Sequence, residues 1–193
     1  LEDRIRLAAF RWLEEQTSHN DILSWHMLTQ GFVYEGQRIT LVGQPGIWKP
    51  KNFPSVPLSI RTTPESIYND TLTKDGFLLY RYQGTDPNYR DNKGLREAWQ
   101  KKIPLIYFHG VVPGKYLAVW PVFIVDDQPS SLSFTVAVDN IHSLQLLEDQ
   151  PRRIDVELVN HESEFYQRKY ITAAARIRLH QRSFRVRVLE AYQ

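Results

Sequence analysis

Residues 103–125 read IPLIYFHGVVPGKYLAVWPVFIV. Two β-prone runs, dense in Val, Ile, Leu, Tyr, Phe and Trp, flank the turn Pro113-Gly114. Branched and aromatic side chains fit a pleated surface better than a helix, so a chain carrying this segment is committed to a sheet. Shorter runs of the same kind are FLLYRY (77–82), SLSFTVAVD (131–139) and IDVELV (154–159), the last a strand or the entry to a helix. FVYEGQRITLV (32–42) reads as a hairpin turning at Glu35-Gly36. From Gly43 to Pro64 the prolines Pro45, Pro50, Pro54, Pro57 and Pro64 leave little room for helix. GIWKPK and PLSIRTT within that stretch read as extended segments.

Helical periodicity is confined to a few places. In DRIRLAAFRWLEEQ (3–16), Ile5, Ala8, Ala9, Trp12 and Leu13 form one apolar stripe. ILSWHMLTQGF (22–32) predicts a second short helix ending near Gly31, and DNKGLREAWQKK (91–102) predicts a third with an Asp/Asn start. YITAAARIRLHQRSFRVRVLEAY (170–192) predicts a long basic helix. Short strands, an inserted helix and flanking helices describe an α+β domain around a strongly curved sheet or small barrel.

The composition narrows the chemistry. With no cysteine there is no disulfide framework, no thiol nucleophile and no Cys-ligated zinc. No apolar run approaches the roughly 18 residues of a membrane span, and no signal peptide opens the chain, which fits a cytoplasmic protein with no membrane partner. The chain opens on Leu1 rather than Met, as in a piece of a longer protein. His19, His26, His109, His142, His161 and His180 are scattered, with no metal-binding spacing, and no phosphate-loop or nucleophile-elbow motif is present. Asp126-Asp127 falls where a strand should end and reads as a turn. The residues offer no catalytic constellation.

Net charge is only +2, but Arg168, Lys169, Arg176, Arg178, Arg182, Arg185 and Arg187 follow one another with no acid among them. Such a segment is either a solvated helix face or a site for a polyanion. Aromatic residues lie near polar ones in SIYND (66–70) and LLYRYQG (78–84), the combination that stacks a base and reads its edge. On a strand Tyr80 and Tyr82 share a face and Arg81 takes the other. Core packing accounts for two such rings as readily as binding does, and Tyr80, Trp48, Trp99 and Trp120 read as packing residues. The loop GTDPNYRDNKG supplies Arg90 and Lys93 beside two glycines. Lys49, Lys51, Arg61, Arg90 and Arg96 are candidates for phosphate contact, or simply exposed cations.

In order, GQRITL, GIWKPK, PLSIRTT, YND, LLYRYQG, DNKGL, IPLIYFHGV and GKYLAVWPVFIV resemble the SRA domain, the SET-and-RING-associated fold related to PUA barrels. The likeness spans about residues 31–139, and the chain is more particularly similar to the divergent SRA-like domain preceding the HNH nuclease of prokaryotic McrA-like modification-dependent restriction enzymes. It implies a PUA/SRA-like β-barrel over residues 31–160, after an N-terminal helical segment (1–30) that packs on the barrel or helps form a homodimer. Residues 161–193 would be a basic connector toward a nuclease beyond Gln193. It also implies a partner, double-stranded DNA carrying 5-methyl- or 5-hydroxymethylcytosine, and a mechanism in which the base is flipped between two rings. Tyr68 and Tyr82 match those rings, Asp70 the acceptor for the cytosine amino group, and Gln83 the residue beside the 5-substituent, where the family usually has threonine. Lys93 matches a segment near the DNA. No cofactor is implied within these residues; a divalent metal would belong to the nuclease. A PUA-like RNA-binding module, and a protein-interaction domain with these tyrosines in its core, are the alternatives.

Overall fold

The structure, a computed structural model, describes residues 1–18, 20, 22–63 and 77–137. Tyr68, Asp70, the 154–159 run and the basic 161–193 segment lie outside the described residues. Along the rest the order is α1 (Glu2–Gln16), β1 (Ile22–Ser24), α2 (Trp25–Gln30), β2 (Phe32–Tyr34), β3 (Gln37–Ile39), β4 (Ile47–Trp48) and β5 (Ser59–Thr62). Then come β6 (Phe77–Arg81), α3 (Arg90–Gln100), β7 (Leu105–Val112), β8 (Lys115–Gln128) and β9 (Ser133–Ala137).

The expected α+β architecture is present: a curled mixed sheet in the order β4-β5-β7-β8-β9-β6, with helices against it. Its spine is β8, 14 residues long. The first half of β8 pairs with β7 on one side and with β1 on the other, and its last residues pair with β9. A strand that changes neighbours along its length, with register shifts at Leu105/Tyr107 and Ile124/Asp126, twists and bends the sheet around it. Among the described strands only β5 and β7 pair in parallel.

Both faces of the central strands are buried. Ile106, Phe108, Ala118 and Trp120 join a cluster with Ile5, Ala9, Phe10, Leu13 and Leu28 from α1 and α2. Leu105, Tyr107, Val119 and Val122 point the other way, into a cluster with Leu95 and Ala98 of α3, Leu78 and Tyr80 of β6, Tyr82 just after it, and Phe134 and Val136 of β9. This double burial explains why β7 and β8 read as nearly continuous apolar runs. The concave side holds the second cluster and the site below. Residues of α1, β1 and α2 share the first cluster, so α1 packs directly on the sheet and β1 pairs with it. Trp120 is fully buried, Trp99 packs at the margin of the second cluster, and Trp48 donates its indole N–H to Thr40 O (3.0 Å).

Two local expectations need correction. The buried stripe of α1 is Ile5, Arg6, Ala9, Phe10 and Leu13, leaving Ala8 and Trp12 half-buried. Arg6 can be buried because its guanidinium donates to Pro104 O (3.1 Å), Val56 O (3.3 Å) and Glu2, and lies over the Phe53 ring. The run ILSWHMLTQ is not one helix. Its first residues pair with Lys115–Leu117, and Ser24 then caps α2 by accepting from the Met27 N–H (3.2 Å). Gly31 ends α2 as expected, at φ 58° and so close to β3 that a Cβ would stand 1.8 Å from Ile39 O. The hairpin turns at Glu35 and Gly36, both at positive φ. Among the described residues no helix is long and apolar enough to cross a membrane.

Candidate nucleic-acid interface

Strand β6 places Tyr80 and Tyr82 on the concave face and Arg81 outside, as the period of two predicts. The Tyr80 hydroxyl crosses the curl and donates to Arg61 O on β5 (3.3 Å). Tyr82 lies where β6 leaves the sheet; its N–H donates to Leu132 O (2.8 Å), and its ring packs on Phe134 with centroids 4.6 Å apart. Its hydroxyl donates to Asp127 Oδ1. Arg96 of α3 closes the triangle, donating Nε to Asp127 Oδ2 and Nη2 to the Tyr82 oxygen (3.3 Å). Burial, followed by the Asp127 carboxylate, pushes the Tyr82 phenol up to about 12 against the opposing pull of Arg96. The guanidinium is held above its ordinary range, chiefly by its bond to Asp127. Tyr82 is therefore a neutral phenol, 6% exposed, with its oxygen fixed on both sides.

Asp127 corrects the expectation of a turn at Asp126-Asp127. The strand continues through both, since Asp126, Asp127 and Gln128 pair with Thr135, Phe134 and Ser133. Lying opposite Phe134, Asp127 shares the face on which Tyr82 packs, and its side chain is 5% exposed.

Beyond Tyr82 the chain forms a ledge. Gln83 is exposed and Gly84 takes φ 68°. Asp86 accepts the Asn88 N–H in a local turn (2.8 Å), and α3 starts after Tyr89. The expected Asp/Asn cap of α3 is absent: Tyr89 occupies the cap position without a side-chain bond. Asn92, fully buried, turns back to the ledge instead. It accepts the Gln83 N–H (2.8 Å) and donates to Gln83 O (3.1 Å) and Asp86 O (2.9 Å).

The candidate phosphate contacts fall into two groups. Lys49, Lys51, Arg90 and Lys93 are exposed; Lys49 donates to Pro54 O (2.9 Å), and Arg90 pairs with Asp91 (3.1 Å). Glu97, held below the usual carboxylate range first by Lys101 and in small part by Lys49, links the 49–55 loop to the α3 face that carries Lys93. Arg61 and Arg96 are committed within the protein. Arg61 donates to Gln44 O (3.2 Å), Gly43 O (3.5 Å) and the Tyr116 hydroxyl (3.4 Å), and its guanidinium lies 5.0 Å from the Trp25 ring centre.

A second polar cluster stands at the opposite end of β8. There Thr62, Tyr107 and His109 lie within 3.0–3.4 Å of one another, all buried. Burial pushes the His109 imidazole down to about 4, so it is neutral at physiological pH. Among the described residues no group of His, Cys, Asp and Glu gathers to hold a metal. A groove of about 400 Å³ between α1 and β2, lined by Arg4, Arg11, Trp12, Phe32 and Tyr34, lies on the other face of the sheet.

Sequence reasoning missed Asn92 and Asp127. Asn92 left one signal, a polar residue at the spacing of the buried Leu95 on an otherwise amphipathic helix.

No protein-family model and no curated protein matches the chain. Among solved structures, it is similar to the SUVH5 SRA domain in a complex with methylated CHH DNA, at 23% identity over 49% of this chain and 72% of that one, with a TM-score of 0.37. It is also similar to the SUVH5 SRA domain bound to fully hydroxymethylated CG DNA, at 21% identity over 49% of this chain and 73% of that one, with a TM-score of 0.36.

Proposed function

We propose that this chain is a DNA-binding module that senses modified cytosine by holding the base out of the duplex stack, and that it directs an HNH nuclease of the modification-dependent restriction type. The observation supporting this reading is the Tyr82 ledge. A fixed aromatic ring ends a strand on the concave face, an exposed glutamine follows it, and Arg90 and Lys93 stand at the start of the next helix. These are the positions where the ordered motifs YQG and DNKG, in their resemblance to SRA domains, put the stacking ring and the DNA-facing segment. Tyr82 is 6% exposed and its ring packs on Phe134 within the concave cluster, so stacking on a flipped base requires that cluster to open at this edge. In this reading Tyr68 is the other ring and Asp70 accepts from the base edge.

The energetics suit a reader of modest selectivity. Stacking contributes roughly 1–3 kcal/mol per base, and extrusion costs on the order of a few kcal/mol. The two nearly cancel, which leaves phosphate contacts to supply most of the net affinity. If Lys49, Lys51, Arg90 and Lys93 each neutralise one phosphate, log K falls against log salt with a slope of about −3.6, at about −0.9 per contact. One methyl group discriminates by roughly 1–3 kcal/mol, so unmodified DNA binds too, more weakly.

Fluorescence anisotropy with one duplex carrying cytosine, 5-methylcytosine or 5-hydroxymethylcytosine, over a salt series, tests this. Modified duplexes are expected to bind tighter, and Gln83→Ala, at an exposed position, to change the ranking of the two modifications without altering affinity for cytosine. Equal affinity for all three duplexes rules the reading out.

A further inference from the structure

We infer that α3 carries a clamp, Asn92 and Arg96, that positions the Tyr82–Pro87 ledge, so that both are positioning residues for base discrimination and Arg96 is not a DNA contact. The inference rests on the reading of Tyr82 and Gln83 just given. Tyr82 is the last residue of its strand to bond across the sheet, through Leu132. At Gln83 a side chain takes over: Asn92 accepts from its N–H and donates to its C=O, as a neighbouring strand would, and its amide also reaches Asp86 O. One helical turn on, Arg96 holds the two ends of the ledge, through the Tyr82 oxygen and Pro87 O (3.3 Å each), while Asp127 anchors its Nε.

The helix bearing the clamp is itself fixed. Leu95 and Ala98 are buried in the concave cluster, and Gly94 approaches the 55–57 segment so closely that a Cβ would stand 2.9 Å from Ser55 O. Every nitrogen of the Arg96 guanidinium has a partner in the protein, and these three bonds orient it toward the ledge rather than outward. Distinguishing one substituent on a base depends on holding the neighbouring groups in place, which is what a buried supporting layer does.

The test measures the affinity of the full chain for methylated and unmodified duplexes over a salt series, with folding checked by circular dichroism and melting. Arg96→Gln and Asn92→Ser are expected to lower the methylated-to-unmodified preference at least threefold and leave the salt slope unchanged. Lys93→Gln is expected to do the reverse, reducing the slope by about 0.9 with the preference intact. Arg96→Lys keeps the charge but not the planar fork, so it is expected to lose preference as Arg96→Gln does, and it carries the test if Asn92→Ser fails to fold. A slope reduced by about 0.9 in Arg96→Gln with full preference makes Arg96 a phosphate contact and overturns the clamp. So does a wild-type preference that survives substitution at both positions. A wild-type chain with no preference overturns the reading of Tyr82, and the positioning role with it.

Discussion

Asp127→Ala removes the acceptor on which both the Tyr82 hydroxyl and the Arg96 guanidinium converge. A hydrogen bond to a charged group contributes roughly 1.5–3 kcal/mol, and breaking a buried ion pair costs roughly 3–5 kcal/mol. The Arg96 side chain keeps 23% exposure, so water recovers part of the loss, and about 3 kcal/mol is the expected destabilisation. Tyr82→Phe keeps the ring on Phe134 and the Asp127–Arg96 pair but loses the hydroxyl, for about 1.5–2 kcal/mol. In the Asp127→Ala background that hydroxyl has already lost its acceptor, so the double variant falls about 1–2 kcal/mol short of the sum. Urea melts of the four proteins at neutral pH measure this, with m-values checked for constancy. Additivity within about 0.5 kcal/mol would show that the triangle does not act as a unit. The alkaline limb gives an independent reading. The folded phenol titrates at about 12 and the unfolded one at about 10. Folded and unfolded chains are both protonated below pH 10, so the contribution is fully present there. It is lost as pH rises from about 10 to 12, by on the order of a few kcal/mol. Tyr82→Phe should lack that loss, and an equal alkaline decline in both proteins would refute it.

Two further outcomes follow from the geometry. His109, neutral in the fold, should lower stability as pH falls from about 6.5 to about 4, by on the order of a few kcal/mol, because only the unfolded imidazole takes up a proton across that window. Nuclear magnetic resonance of the His109 ring should show no protonation in the folded chain until near pH 4, and titration near 6.5 would contradict its burial. Gly94→Ala should destabilise by about 1–2 kcal/mol, since forcing α3 off the 55–57 segment outweighs the roughly 1 kcal/mol that alanine adds to a helix interior. An unchanged or raised melting temperature would show that the approach is looser.

The strands were readable because β7 and β8 carry branched and aromatic residues on both faces, and the turns because Glu35-Gly36 and Pro113-Gly114 punctuate them. A period of two was enough to place Tyr80 and Tyr82 together. β1 was not readable: its three residues join a helical pattern, and only the edge of β8 at Lys115–Leu117 makes them extended. Nor was the orientation of Arg6, whose burial depends on carbonyls at Val56 and Pro104, far along the chain. Asp127 and Asn92 share this character. A carboxylate at a strand end and an asparagine at a helix start carry strong local meanings, as turn and cap. Here distant partners, Arg96 with Tyr82 and the Gln83 backbone, displaced those meanings.

Base extrusion can be observed directly. A fluorescent purine analogue, quenched while stacked, is placed opposite a 5-methylcytosine or a cytosine in otherwise identical duplexes, and its emission is followed as the protein is added to saturation. The prediction is a rise in emission with the methylated duplex, a smaller one with the unmodified duplex, and loss of the difference in folded Arg96→Gln. Tight binding to the methylated duplex with emission as low as that of free DNA would mean that the base stays in the stack, and that Tyr82 and its ledge do not hold it.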